Sequence, residues 1–164
     1  MCRDLFLILV ALTVAQAAGA QSCFKAPSAA ALNLYNEHQQ FIFEGGSSPP
    51  LSAKFAAIVN DNIQEEARTG DVGAIDWDYW TGAQDGKPSP NASVASVSVH
   101  GGSARVLLKY QFFPSPGMRS IAKTALVTVS RDVAGCWLVE DVARGKTSVR
   151  SLLTGRDTTR GRQL

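Results

Sequence analysis

Apolar and polar positions follow two different rhythms along this chain, and the change falls near Asn91. Before it the period is helical. A helix is predicted from Ala29 to about Phe43, where Leu32, Tyr35 and Ile42 can share one stripe, with Ser28 placed to cap its start and Gly45-Gly46 to end it. Ser47-Ser48-Pro49-Pro50 forms a linker. Ser52 then opens a second helix from Ala53 to about Arg68, whose Phe55, Ile58, Val59 and Ile63 recur near helical spacing until Gly70. After Asn91 the period is two. Ala95, Val97 and Val99 alternate with Ser96 and Ser98. His100-Gly101-Gly102-Ser103 turns the chain, and Ala104, Val106, Leu108, Tyr110 and Phe112 alternate with Arg105, Lys109 and Gln111. A second hairpin runs from about Ile121 to Arg131, turns at Asp132-Val133-Ala134-Gly135 and returns from Cys136 to Ala143; a short helix from about Ser148 to Thr154 closes the pattern. The expected fold is α+β: N-terminal helices packed on a curved four-stranded antiparallel sheet, with a short C-terminal helix. The mouth between helix and sheet is then a place for a ligand.

The stretch joining the two rhythms, Asp71 to Gly86, holds four aspartates and three aromatic rings. Two accounts fit it. Asp and Gly make turns and rings fill cores, so the loop caps the core; or the loop is a rim that meets a partner or a cation. Alternation sends Trp77 and Tyr79 one way and Asp76, Asp78 and Trp80 the other, which places one or two rings inside and one at the rim. On the second account the contact residues are Asp76, Trp77, Asp78, Tyr79, Trp80, Gln84 and Asp85, because Trp and Tyr carry much of the energy at binding surfaces. Asp76, Asp78 and Asp85 are also candidate cation ligands, since hard cations want several carboxylate oxygens. The spacing lacks the remaining ligands of a calcium loop, and no metal is assigned.

The first residues change the picture of where such a domain works. An Arg near the start, an apolar run from Leu5 to Ala15 and the A-x-A form at Ala18-Gly19-Ala20 read as a secretory signal over residues 1–20, too short to span a bilayer. One domain is expected over 21–155, exported to the periplasm or beyond, with no transmembrane segment. Loss of Cys2 with the signal leaves Cys23 and Cys136, an even pair in an oxidising compartment, and hence one expected disulfide. Acylation of Cys23 is the other reading, although Ala20 stands where a Leu is wanted. The net charge of +2 conceals an asymmetry: residues 21–142 carry nine basic and twelve acidic side chains, whereas six basic residues follow Ala143 against Asp157. Residues 156–164 read as a basic, solvated tail rather than a nucleic-acid arm.

No nucleophile elbow, metalloprotease helix, phosphate loop or dinucleotide fingerprint occurs, and two histidines with two paired cysteines make no ordinary zinc site, so no cofactor is expected. The order of helices, aspartate-rich loop ending Ala83-Gln84-Asp85, hairpins, then Gly135-Cys136-Trp137-Leu138-Val139-Glu140-Asp141-Val142 and Ser151-Leu152-Leu153 resembles an uncharacterised family of bacterial exported domains. That family is similar to the cone-shaped SnoaL-like and nuclear-transport-factor-like proteins. The resemblance implies a cone whose enzymes work with Asp and His pointing inward. His38 with Asp76 or Asp141 would be that acid and base here, while His100 reads as a turn residue. Glu140 and Asp141 also read as strand-end hydrogen-bond acceptors. The first expectation is a non-catalytic exported binding or protein-interaction module for an unknown protein or small ligand. The alternatives are a small cone-fold enzyme and an immunity or inhibitor protein.

Overall fold

The computed structural model describes residues 22–43 and 49–155. The expected signal over 1–20 and the expected basic tail over 156–164 lie outside them. Within them the chain is α+β, in the order α1 (Pro27–Glu37), α2 (Ala53–Thr69), β1 (Lys87–Pro88), β2 (Ser93–His100), β3 (Ser103–Phe113), β4 (Ile121–Arg131), β5 (Trp137–Arg144), β6 (Thr147–Ser148) and α3 (Val149–Leu153). One antiparallel sheet runs β1-β3-β4-β5-β6, and β2 pairs with β3 along the same edge as β1. Six strands replace the expected four, because β1 and β6 are two residues each and too short to show an alternation.

The second helix starts as expected: Ser52 Oγ accepts the Phe55 amide, and Gly70 ends the helix with φ 70°, a conformation that suits glycine. The first helix does not. It begins at Pro27, whose fixed φ suits the first helical position, with Ala26 before it and no side-chain cap; Ser28 is inside the helix. It stops at Glu37 instead of Phe43. The Gln39 carbonyl is taken by the Trp80 indole N–H at 2.9 Å, and turns at residues 38–43 swing Phe41 and Ile42 into the core.

Ala30, Ala31, Leu34 and Tyr35 form the buried stripe of α1, which lies on the inward face of the sheet among Val106, Leu108, Val127, Val129 and Val139, all inaccessible to solvent. Two alanines let the helix axis approach closely, and each large aliphatic side chain buried there contributes roughly 1.5–3 kcal/mol. The space between α1 and the sheet is filled by rings. Trp80 meets Tyr35, Phe41, Tyr79 and Tyr110 edge-on at centroid distances of 4.8, 6.4, 6.4 and 6.1 Å. The expected ligand mouth between helix and sheet is therefore occupied by the protein's own side chains.

Among the described residues, the sheet is closed at one edge and open at the other. Along β5, Phe24 bridges Trp137, Leu51 bridges Val139, and β6 pairs with Ala143 and Arg144. Cys23 and Cys136 are joined in a disulfide across 113 residues, which fastens this seal. In the chain-entropy picture a loop of about that length contributes up to roughly 4.7 kcal/mol by restricting the unfolded chain. On the opposite edge, β2 carries a bulge between Val94 and Ser96. The extra residue puts Val94 on the inward face where alternation alone expects Ala95. Inward-facing Val97 and Val99 are 42% and 53% exposed, although their partners on β3, Val106 and Ala104, are buried.

Candidate functional site

The residues from Asp71 to Gly86 are held by a turn and by the core. Asp78 Oδ1 accepts the Thr81 amide at 2.7 Å, its carbonyl accepts Gly82 N–H at 2.7 Å, and its own amide reaches the Ala83 carbonyl at 3.1 Å. This is the aspartate turn chemistry expected of such a sequence. Gly82 sits at φ 68° with the Arg144 guanidinium against its α-carbon, so a side chain there would meet both strain and a clash.

Ile75, Tyr79, Trp80 and Thr81 are buried. The Tyr79 hydroxyl donates to the Val142 carbonyl at 2.8 Å, with the Thr147 carbonyl at 2.9 Å. Tyr110 donates to the Trp80 carbonyl at 2.6 Å, and Arg144 Nη1 to the Thr81 carbonyl at 3.1 Å. Burial pushes the Tyr35 hydroxyl up to about 12, with the Asp78 charge adding and the hydrogen bond to Ser89 opposing. Tyr79 and Tyr110 are raised further, again chiefly by burial.

The seven residues expected to make contact divide three ways. Tyr79 and Trp80 belong to the core, the alternation having failed because the segment is a turn and not a strand. Asp85 lines a groove of about 700 Å³ between Lys87, Phe113 and Met118. Asp76, Trp77, Asp78 and Gln84 meet in one recess of about 360 Å³ with Glu66 and Phe43. Trp77 is half-buried and Asp76 exposed, so the recess presents a ring beside carboxylates. Sequence reasoning missed Glu66 and Phe43 because both lie on other segments. Glu66 sits near the end of α2, where Asn62 donates to it at 2.7 Å.

Neither the recess nor the groove is lined by His38 or Asp141. His38 is the half-buried residue that closes α1. Asp141 Oδ1 accepts the backbone amides of Val142 at 2.8 Å and Arg150 at 3.0 Å, which ties the end of β5 to α3. Its neighbour Glu140 accepts from Ser130 at 2.6 Å and pairs with Arg150 at 3.0 Å. Burial alone would raise the Glu140 carboxyl, but hydrogen bonds from Ser130, Arg150 and Ser52 together with the Arg150 charge outweigh it and hold it below the usual value. His100 ends β2, with Nε2 3.0 Å from Ser98 Oγ on the exposed face, and Gly101-Gly102 make the turn. Among the described residues no three His, Cys, Asp or Glu side chains are grouped to hold a metal ion; of the three candidate ligands, Asp76 and Asp78 line the recess and Asp85 lines the groove. No described helix is long and apolar enough to cross a membrane.

No protein-family model, no curated protein and no solved structure matches the chain.

Proposed function

We propose that this is a non-catalytic exported binding or interaction module whose contact surface is the recess of Asp76, Trp77, Asp78 and Gln84. The observation that carries the reading is their convergence with Glu66 and Phe43 around a single cavity of about 360 Å³. Carboxylates beside a half-buried indole suit a partner that offers a cationic or hydrogen-bond-donating group next to an apolar one, since an ammonium or guanidinium gains both from charge and from the ring face. The Cys23–Cys136 bond supports export, because such bonds persist in oxidising compartments. Kinship with the SnoaL-like cone proteins belongs to the same proposal and rests on the order of elements and the strand from Trp137 to Val142. An acid-base enzyme is the weaker reading: ring packing fills the inner space, and Asp141 is engaged by two amides.

The test is affinity capture from the native exported fraction with the wild-type chain and with Trp77→Ala and Asp76→Lys variants of unchanged thermal midpoint. A partner or small ligand retained by the wild type and lost by at least ten-fold in both variants is the expected outcome. Equal retention by all three removes this recess from the function.

A further inference from the structure

Among the described residues, one stretch of the sheet's edges is left without cover. Phe24, Leu51 and β6 lie along β5, and β1, which covers the far end of β3, contains Pro88. Strand β2 has one device, the bulge between Val94 and Ser96, and beyond it no described residue guards Ser96 to His100. From Ser93 to His100 it contains no proline, lysine, arginine or acidic residue, and all of its residues except Val94 are exposed. Folded proteins normally blunt a free edge with charge, proline, a covering segment or extreme shortness, because unpaired amides and carbonyls template another strand. Eight residues rich in valine and serine, with no lysine, arginine or acid among them, do the opposite.

We infer that β2 pairs antiparallel with β2 of a second copy of this chain, making one sheet continuous across a two-fold axis at Ser98. The strand is self-complementary in that register. Val97 faces Val99 of the other copy on the inward side, and Val99 faces Val97, so the two exposed apolar side chains of each copy cover one another. On the outward side Ser98 faces its own counterpart and Ser96 faces His100. The faces follow from the pairing of Val97 with Val106, Val99 with Ala104 and Ser98 with Arg105. The bulge between Val94 and Ser96 sets one limit of the shared ladder and the Gly101-Gly102 turn sets the other, leaving Ser96 to His100 to pair.

Charge permits the arrangement. The charged residue nearest the axis is Arg105, one strand behind each β2. The two strands that carry it lie three spacings, roughly 14 Å, apart, more than the screening length of about 8–10 Å in physiological salt. The contact is isologous and closes on itself, so it yields a dimer and not a fibre. It is separate from the recess around Trp77, which remains open in each copy.

Sedimentation equilibrium of the purified chain from about 1 to 300 µM is the test, a range that brackets the affinity of a short edge contact. The expected mass rises from one chain to two. Val99→Lys, a change on an exposed side chain, is expected to weaken association at least ten-fold with the thermal midpoint retained. Ser98→Cys is expected to cross-link two copies through a short bifunctional thiol reagent, whereas Ser93→Cys, outside the shared register, is not. A chain that stays monomeric throughout, a dimer indifferent to Val99→Lys, or equal cross-linking from positions 98 and 93 overturns the inference, whatever extended peptide the monomer accepts.

Discussion

The Asp71–Gly86 loop and strand β2 invert the usual association of regular structure with burial. The loop has almost no regular structure, yet Ile75, Tyr79, Trp80 and Thr81 are buried and its main chain is bonded to Tyr110 and Arg144. Strand β2 is extended over eight residues with a single bulge, yet its inward Val97 and Val99 remain exposed. What separates the two is what lies over them. The loop is roofed by α1, the turns after it and the ends of β3 and β5, while β2 lies at the edge of the sheet. Regularity reports how a backbone satisfies its own hydrogen bonds. Burial reports whether another element covers the side chains.

That contrast can be broken most forcefully at Trp80. Trp80→Ala removes a fully buried ring with four aromatic neighbours and strands the Gln39 carbonyl. It should cost about 3–5 kcal/mol in denaturant unfolding; a loss under about 1 kcal/mol would mean the loop is not part of the core. A smaller, graded loss should accompany rising pH. The folded-state values of Tyr35, Tyr79 and Tyr110 lie above the ordinary 10.0, so the stability they contribute is present below that value and is lost as pH rises toward and past the folded values, about 12 for Tyr35. Because these are the three tyrosines of the chain, native protein should show little tyrosinate absorbance until it unfolds. A titration complete near pH 10 in folded protein would contradict their burial. The smallest effect belongs to β2: Val99→Thr should shift stability of the monomer by no more than about 0.5 kcal/mol, as an exposed substitution with a strand-compatible side chain does.

Much of the architecture is legible in the order of residues. Phe55 and Val59 recur at helical spacing under a Ser52 cap, and Ala104 to Phe112 alternate cleanly, because each pattern has one covered face. Where the reading failed, a distant group decided the local outcome. Nothing near Gln39 signals that the Trp80 indole will claim its carbonyl and end α1 early. Nothing in Val94-Ala95-Ser96 announces a bulge, since both registers offer apolar side chains to the same face. Four of the contact residues, Asp76, Trp77, Asp78 and Gln84, do meet in the recess, because they are close in sequence. Glu66 and Phe43, which complete it, come from separate segments joined only by the fold.

The bond between Cys23 and Cys136 also sets an order of events in making the protein. On a chain read out from its first residue, Cys23 waits while 113 further residues are added, on the order of ten seconds at typical synthesis rates. Helices α1 and α2 and the three long strands β2, β3 and β4 emerge before its partner does. Covalent closure thus cannot precede those strands, and it fastens the first segment of the chain beside the last hairpin.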